Sequence, residues 1–265
     1  MQFRKLGAVA SAAVLAASCG IASAQQSGNQ NASNNASANG NSSYSITPAE
    51  LTETAYSAAG ILHGLMLRSA DKQIPQTFVN HARCIAVFPT VFKEGLIVAG
   101  SHGDGIVSCR DMAGNWQAPV FFDLSGGSVG LQAGAKVSNL IVLFMNKNAA
   151  QQLMDGNVDF GAKAAVAAGP IGLHARAHTA PAPMLAYEVN SSGGFAGAEV
   201  KGTRISIDQP AMNKLYGKNA KAQQVLFHRS KAPEHVRIYN EALQAFAPQT
   251  AFVKNEIQVK SQTAK

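Results

Sequence analysis

A few residue groups have types and spacings suited to chemistry. Gly126-Gly-Ser128-Val-Gly130 fits the G-x-S-x-G pattern of serine hydrolases. That pattern needs a strand, a sharp turn and then a helix, so that the serine hydroxyl is lifted toward a substrate. Just after Ser128 the chain reads Gly130-Leu-Gln-Ala-Gly134, a poor helix start. The glycines read better as turn or close-packing positions. His174 and His178 stand four apart and would share one face of a helix. No Glu lies between them, so the metalloprotease pattern fails. The local alternation suggests a strand, on which they sit more than about 12 Å apart. The run Gly100-Ser-His-Gly103-Asp-Gly105 has the glycines to cradle a phosphate on backbone N–H groups. It lacks the Lys-Ser/Thr of a nucleotide loop, and its plain alternative is a tight hairpin. Cys19, Cys84 and Cys109 match no zinc spacing. No catalytic residue, metal or cofactor is expected, and the chain reads as non-enzymatic.

The first residues concern export rather than chemistry. Arg4 and Lys5 precede a short apolar run from Leu6 to Ala17, and Ala22-Ser23-Ala24 forms an A-x-A site before Gln25. This is the three-part pattern of a signal peptide, with an apolar run too short to span a bilayer. A second route competes. Leu15-Ala16-Ala17-Ser18-Cys19 resembles a permissive lipobox, and cleavage before Cys19 would leave that cysteine to be lipidated. Both routes lead to an exported protein, periplasmic or anchored to the outer membrane. Residues 25–43 are rich in Asn, Ser, Gln and Gly and read as a flexible spacer. Cys84 and Cys109 would then meet an oxidising compartment. A disulfide between them is one outcome. Their apolar surroundings favour buried free thiols.

The remaining chain must supply the elements that position any site. Thr47-Pro48-Ala49-Glu50 is a capping box with proline at the first helical position. Leu51, Ala55, Ala58, Leu62 and Leu65 recur on one helical face. Packing against a sheet is the favoured use of that face, with a membrane-surface helix as the alternative. A second short helix is expected near Pro75. Ile85 to Pro89, Leu96 to Ala99, Ile106 to Cys109, Trp116 to Phe122, Val129 to Ala135 and Leu140 to Met145 read as strands. Asn148 to Met154 reads as a helix stopped by Gly156, and Ala164 to His178 is strand-like. Met184 to Val189, Phe195 to Val200 and Thr203 to Ile207 look like an antiparallel meander. Helical turns come after Pro210. A last helix opens at Pro233, with Val236, Tyr239, Leu243 and Phe246 on one face. The expected fold class is α+β and β-rich. The architecture is a glycine-rich, mainly antiparallel β sandwich or barrel flanked by N- and C-terminal helices.

Charge narrows the partners. Hydrophobic residues make up 46% of the chain and charged ones 14%, enough to bury a core. The formal charge of +7 is uneven. Residues 44–211 carry 11 Lys/Arg against 12 Asp/Glu, whereas residues 212–265 carry 9 against 3. A near-neutral main domain disfavours nucleic acid, which requires clustered cations on the folded module. An anionic membrane surface stays open as a partner, at roughly 1 kcal/mol per well-placed cation.

Several motifs resemble the SYLF family. They are Gly95-Leu-Ile-Val-Ala-Gly-Ser-His-Gly-Asp-Gly105, Gly114-Asn-Trp116-Gln-Ala-Pro119, Gly126-Gly-Ser-Val-Gly130-Leu-Gln-Ala-Gly134-Ala, Ala167-Ala-Gly169-Pro170 and Gly194-Phe195-Ala-Gly197-Ala-Glu-Val-Lys-Gly202. The likeness runs from about Leu51 to about Gly217. It implies a domain over 44–217, between a signal peptide (1–24, or 1–18 in a lipoprotein) with its linker (25–43) and a basic helical extension with a frayed end (218–265). It also implies phospholipid binding, the actin activity of eukaryotic relatives being unsuited to an exported bacterial protein. Leu173 stands where the family commonly has Arg, Asn139 where it has Asp, and Lys163 lies near another usual Asp. Acyl chains are expected between sheet and helices. Lys93, Arg110, Lys201 and Arg204, beside the glycines at Gly103 and Gly105, are the candidate headgroup contacts. A protein partner on the basic C-terminal tail is the competing expectation.

Overall fold

In the computed structural model the described residues are 46–248, apart from 96–97, 112, 130–133, 161–165, 171–181, 194–201 and 228–229. Helix α1 (Pro48–Met66) begins where its capping residues dictate. Thr47 Oγ1 accepts from the Glu50 amide at 3.3 Å, and Glu50 Oε2 accepts from the Thr47 amide at 2.7 Å. Its buried side is Leu51, Ala55, Ala58, Leu62 and Leu65, as the spacing predicts, together with Ala59. Helix α2 (Gln76–His81) comes after a short turn.

The strands are β1 (Cys84–Gly95), β2 (Val98–Cys109), β3 (Val120–Val129), β4 (Gly134–Phe144), β5 (Asn157–Asp159), β6 (Val166–Pro170), β7 (Met184–Gly193) and β8 (Thr203–Ile207). They form one eight-stranded sheet in the order β5-β8-β3-β2-β1-β4-β7-β6. Every pairing is antiparallel except β6 with β7. Helix α3 (Lys147–Met154) is N-capped by Asn146, whose side chain accepts from Ala149 N. Helices α4 (Gln209–Tyr216), α5 (Ala222–Phe227) and α6 (Arg237–Phe246) close the described chain.

Both faces of this sheet are covered. Ile85, Val87, Ile106, Ile141 and Leu143 pack on one side with α1 and α6. Ala86, Phe88, Val107, Val142 and Phe144 pack on the other with α3 and α5. The start of β1 is therefore buried on both faces, and alternation between apolar and polar residues is lost there. Space between α1 and the sheet is filled by side chains such as Leu62 and Ile106, both 0% exposed. The expected acyl-chain layer between sheet and helices is thus occupied by the protein's own core.

One irregularity sets which residues face α1. The pairing of β1 with β2 slips by one residue between Val87 and Phe92, and that with β4 slips between Phe88 and Val91. This bulge at Pro89-Thr90 inverts the two-residue phase of the strand. Ile85 and Val87 face α1 before it, and Phe92 does so after it.

Several expectations are corrected by the fold. Strand β1 runs on through Pro89 to Gly95, because the bulge absorbs the proline. The segment from Gly100 to Gly105 is not a loop but the middle of β2. Strands β7 and β8 form no meander: β3, β2, β1 and β4 lie between them. The third member of that group, 195–200, lies outside the described residues. Cys84 and Cys109 form a disulfide rather than free thiols. They face each other directly across β1 and β2, with Cα atoms 4.0 Å apart, and in an antiparallel pair such opposite side chains share a face. Apolar surroundings alone do not reveal that register. Finally, the stretch after residue 217 supplies core. Val225 and Leu226 enter one face, and Tyr239 and Leu243 enter the other.

Candidate functional site

Helix α1 turns Glu50, Glu53, Thr54, Ser57, Gly60 and Gly64 toward the bulge of β1 and the adjoining strands, and Arg68, just past its C-cap, continues the line. Steps of three and four along the helix put these positions in one row. Three hollows line this row, of about 280, 230 and 340 Å³ from the start of α1 to its end. Neighbouring hollows share Glu50, Thr54 and Asp104, then Ser57, Pro89 and Thr90. They make one surface groove along the helix.

The two ends of the groove have opposite electrostatics. Asp104, Asp123 and Asp208 meet at the first hollow. Asp104 and Asp123 stand directly opposite on β2 and β3, an unfavourable like-charge pair. Burial, with Asp208 and Asp104 adding repulsion, pushes the Asp123 carboxyl up to about 6. Burial raises Asp208 as well, opposed by the hydrogen bond its carboxylate accepts from Ala211 N as the cap of α4. At the far end, Arg68 donates to Asn190 Oδ1. Ser57, Thr90, Asn139 and Asn190 line that hollow with it, and its described lining holds no carboxylate.

The rim is apolar. Among the described residues the large exposed hydrophobics are Tyr56, Leu67, Phe92 and Val137, with Leu67 76% exposed. Tyr56 projects from α1 and Leu67 from its C-cap. Phe92 stacks on His102 at a ring separation of 5.2 Å and lies opposite Val137, on the sheet face toward α1.

The residues expected to hold a headgroup are not gathered here. Arg110 is buried, 2% exposed, and its guanidinium lies 4.3 Å over the Trp116 ring. It donates to the carbonyls of Gly114 at 3.1 Å and Ala247 at 2.8 Å. Burial lowers its pKa to about 10, so it stays charged while fixing the end of α6. Arg204 is exposed on β8 but is engaged by Asp159, Nε to Oδ1 at 2.6 Å. Lys93 lies on β1, partly buried, and is engaged by another group. Gly103 and Gly105 serve packing: an added Cβ would fall 2.4 Å from the Thr90 carbonyl oxygen and 2.3 Å from the Phe88 ring. Lys201, Cys19, Lys163, Leu173, His174 and His178 lie outside the described residues.

Ser128 sits near the end of β3, paired with Ala99 of β2. The next described element is β4, so the strand-to-helix elbow of a hydrolase is not built. Among the described residues no group of three or more His, Cys, Asp or Glu is arranged to hold a metal. The Gly114-to-Pro119 motif also proves structural. Trp116 Nε1 donates to Ala247 O at 3.0 Å, Asn240 Nδ2 to Gln117 O at 2.6 Å, and Tyr216 Oη to Pro119 O at 2.6 Å. The motif clasps α4 and α6 to the sheet. Sequence reasoning missed Arg68 and the groove. The signal was the polar row on α1, legible only once the buried face was separated from it.

The described residues thus form a sheet whose two faces are covered by helices, with an open groove along α1. Residues 125–246 match the family model Ysc84, described as a Las17-binding protein actin regulator. The LAS seventeen-binding protein 3 of Saccharomyces cerevisiae is 29% identical over 199 residues, covering 71% of this chain and 43% of that protein. Protein YSC84 of the same yeast is 28% identical over 196 residues, covering 70% and 42%. The human SH3 domain-containing YSC84-like protein 1 is 28% identical over 207 residues, covering 75% and 60%. The chain spans about half the length of these curated relatives. No solved structure matches it. Over the matched residues the chain is similar to the SYLF family, the Ysc84 type.

Proposed function

We propose that this protein is a non-enzymatic phospholipid-binding module that meets a bilayer with the α1 side of its fold. One observation carries the reading. The large exposed hydrophobics among the described residues, Tyr56, Leu67, Phe92 and Val137, lie on α1, at its C-cap or on the sheet face turned toward it. Side chains of this kind insert at the boundary of headgroups and acyl chains, while the buried face keeps the helix on the domain. The mode is surface contact rather than a fatty interior, since that interior is filled. The export-type start over residues 1–24 is in keeping with a bilayer of the cell envelope. Co-sedimentation of the mature protein with phospholipid vesicles tests the proposal. Leu67→Ser and Phe92→Ser should each weaken binding several-fold without lowering the melting temperature. A wild-type protein that ignores vesicles of every headgroup would end this reading. The mass of the exported protein distinguishes cleavage before Gln25 from acylation at Cys19.

A second reading rests on a separate surface. From 209 to 233 the chain has no acidic residue. Lys214, Lys218, Lys221 and Lys231 are exposed there and have no ion-pair partner among the described residues. This basic stretch around α4 and α5 suits an acidic protein partner, in keeping with relatives named for binding Las17. Changing Lys214, Lys218 and Lys221 to Gln should abolish capture of such a partner while leaving vesicle binding intact. Loss of vesicle binding alone would assign the lysines to the membrane instead.

A further inference from the structure

We infer that the hollow at the end of α1 is a binding site for a phosphate group, with Arg68 as its cation. The inference deepens the lipid reading and rests on it where the phosphate is that of a headgroup. The hollow has about 340 Å³ of space, room for a phosphodiester with a small substituent. Its polar lining is neutral or cationic: Arg68, the amides of Asn139 and Asn190, and the hydroxyls of Ser57 and Thr90. A carboxamide and a hydroxyl each offer a donor to a phosphate oxygen. An arginine fork matches such oxygens in pairs.

The arginine is held but not used up. Asn190, whose backbone takes the left-handed conformation at φ 51°, accepts from Nη2 of Arg68. No carboxylate pairs with this guanidinium among the described residues. Its other N–H groups have no protein acceptor among the described residues. Such a half-buried, oriented cation has already given up part of the side-chain freedom that binding would otherwise cost. The floor is kept open by Gly60 and Gly64, where an added Cβ would meet nothing within 4 Å and would project into free space. Leu67 stands beside Arg68 and is 76% exposed, so a headgroup in the hollow puts its chains next to an apolar anchor. The carboxylates at the opposite end of the groove repel an anion from there and leave the Arg68 end as its one favourable seat along the described groove.

The same chemistry could come from a lipid headgroup or from a free phosphate ester, and the test separates them. The full mature chain is titrated with phosphatidylcholine vesicles, with the same vesicles containing phosphatidic acid, and with glycerol phosphate in solution. The wild type should prefer the phosphatidic acid vesicles. Arg68→Gln should cut that preference about tenfold, the loss expected of a paired charge-assisted contact. Arg68→Lys should restore part of it. Asn139→Asp, which puts a carboxylate in the hollow, should match Arg68→Gln. Leu67→Ser should instead weaken binding to both kinds of vesicle alike. Saturable binding of glycerol phosphate that Arg68→Gln removes, without any vesicle binding, would keep the site and overturn the lipid reading. Unchanged binding of every ligand in folded Arg68→Gln and Asn139→Asp proteins would overturn the site alone. Absence of all binding by the wild type would overturn both.

Discussion

Asp123 shows how one carboxyl can make this fold sensitive to pH. Its pKa is raised from 3.8 to about 6, by burial first and by Asp208 and Asp104 after it. Above about 6 the folded protein must hold the buried charge, and ionisation destabilises it. Between about 4 and 6 the folded form binds a proton that the unfolded chain has released, so stability rises as pH falls through this window. The group is partly solvated, which tempers the effect. The melting temperature should therefore rise on going from pH 7 to pH 5. Asp123→Asn should raise it at pH 7 and flatten that slope. A slope unchanged by the substitution would assign the effect to other groups. Tyr239 is a second decisive residue: fully buried, it donates from Oη to the Ile85 carbonyl at 2.9 Å. Tyr239→Phe leaves that acceptor with one bond fewer and should cost about 1–2 kcal/mol in chemical denaturation. Asn139 gains meaning here as well. It lines the hollow that holds Arg68 and adds a neutral carboxamide there.

Among the elements, α1 and the β1–β2 pair carry the site. Leu62 is 0% exposed between α1 and the sheet. Leu62→Ala should cost about 2–5 kcal/mol, the range for opening a cavity in a packed core. Because α1 forms one wall of the groove, the same change should loosen ligand binding, measurable as a parallel loss of vesicle affinity. The Cys84–Cys109 bridge joins β1 to β2 across a sequence separation of 25. Replacing both cysteines by Ala should cost roughly 2–4 kcal/mol. Reductant should lower the melting temperature of the wild type and leave the double variant unmoved. The helices are legible in the sequence because capping residues and apolar spacing act locally: Thr47, Glu50, Leu51 and Leu65 belong to one element and its cap. The phase of β1 beyond Pro89 is not. A bulge depends on the partners of a strand, and Phe92 faces α1 only because the pairings with β2 and β4 slip by one residue there.

At the scale of the molecule, the fold is a sheet clamped from both sides by helices drawn from both ends of the described chain. The stretch after 217 looks like an appendage in composition, being basic and rich in short helices. Yet Leu226 and Leu243 are 0% exposed on opposite faces of the sheet. Truncation after Gly217 should therefore leave both faces uncovered and yield an insoluble or molten product by circular dichroism, not a smaller domain with intact binding. A related reason keeps Arg110 from serving a headgroup. It stands beside a glycine-rich turn in sequence, but the chain returns at residue 247, after α6, to cover it.

Features that are local were legible in the residues alone: the capped α1 with its buried face, the last helix with Tyr239 and Leu243, and the β-rich middle. Those rest on backbone propensity and on apolar periodicity, which need no distant partner. Only the assembled fold set the strand order, the pairing of Cys84 with Cys109, the burial of Arg110 and the groove that ends at Arg68. Each of these depends on segments tens to more than a hundred residues apart, as in the contact of Arg68 with Asn190 across 122 positions. Which charges are consumed by the fold and which are left for a ligand emerges only when those segments are brought together.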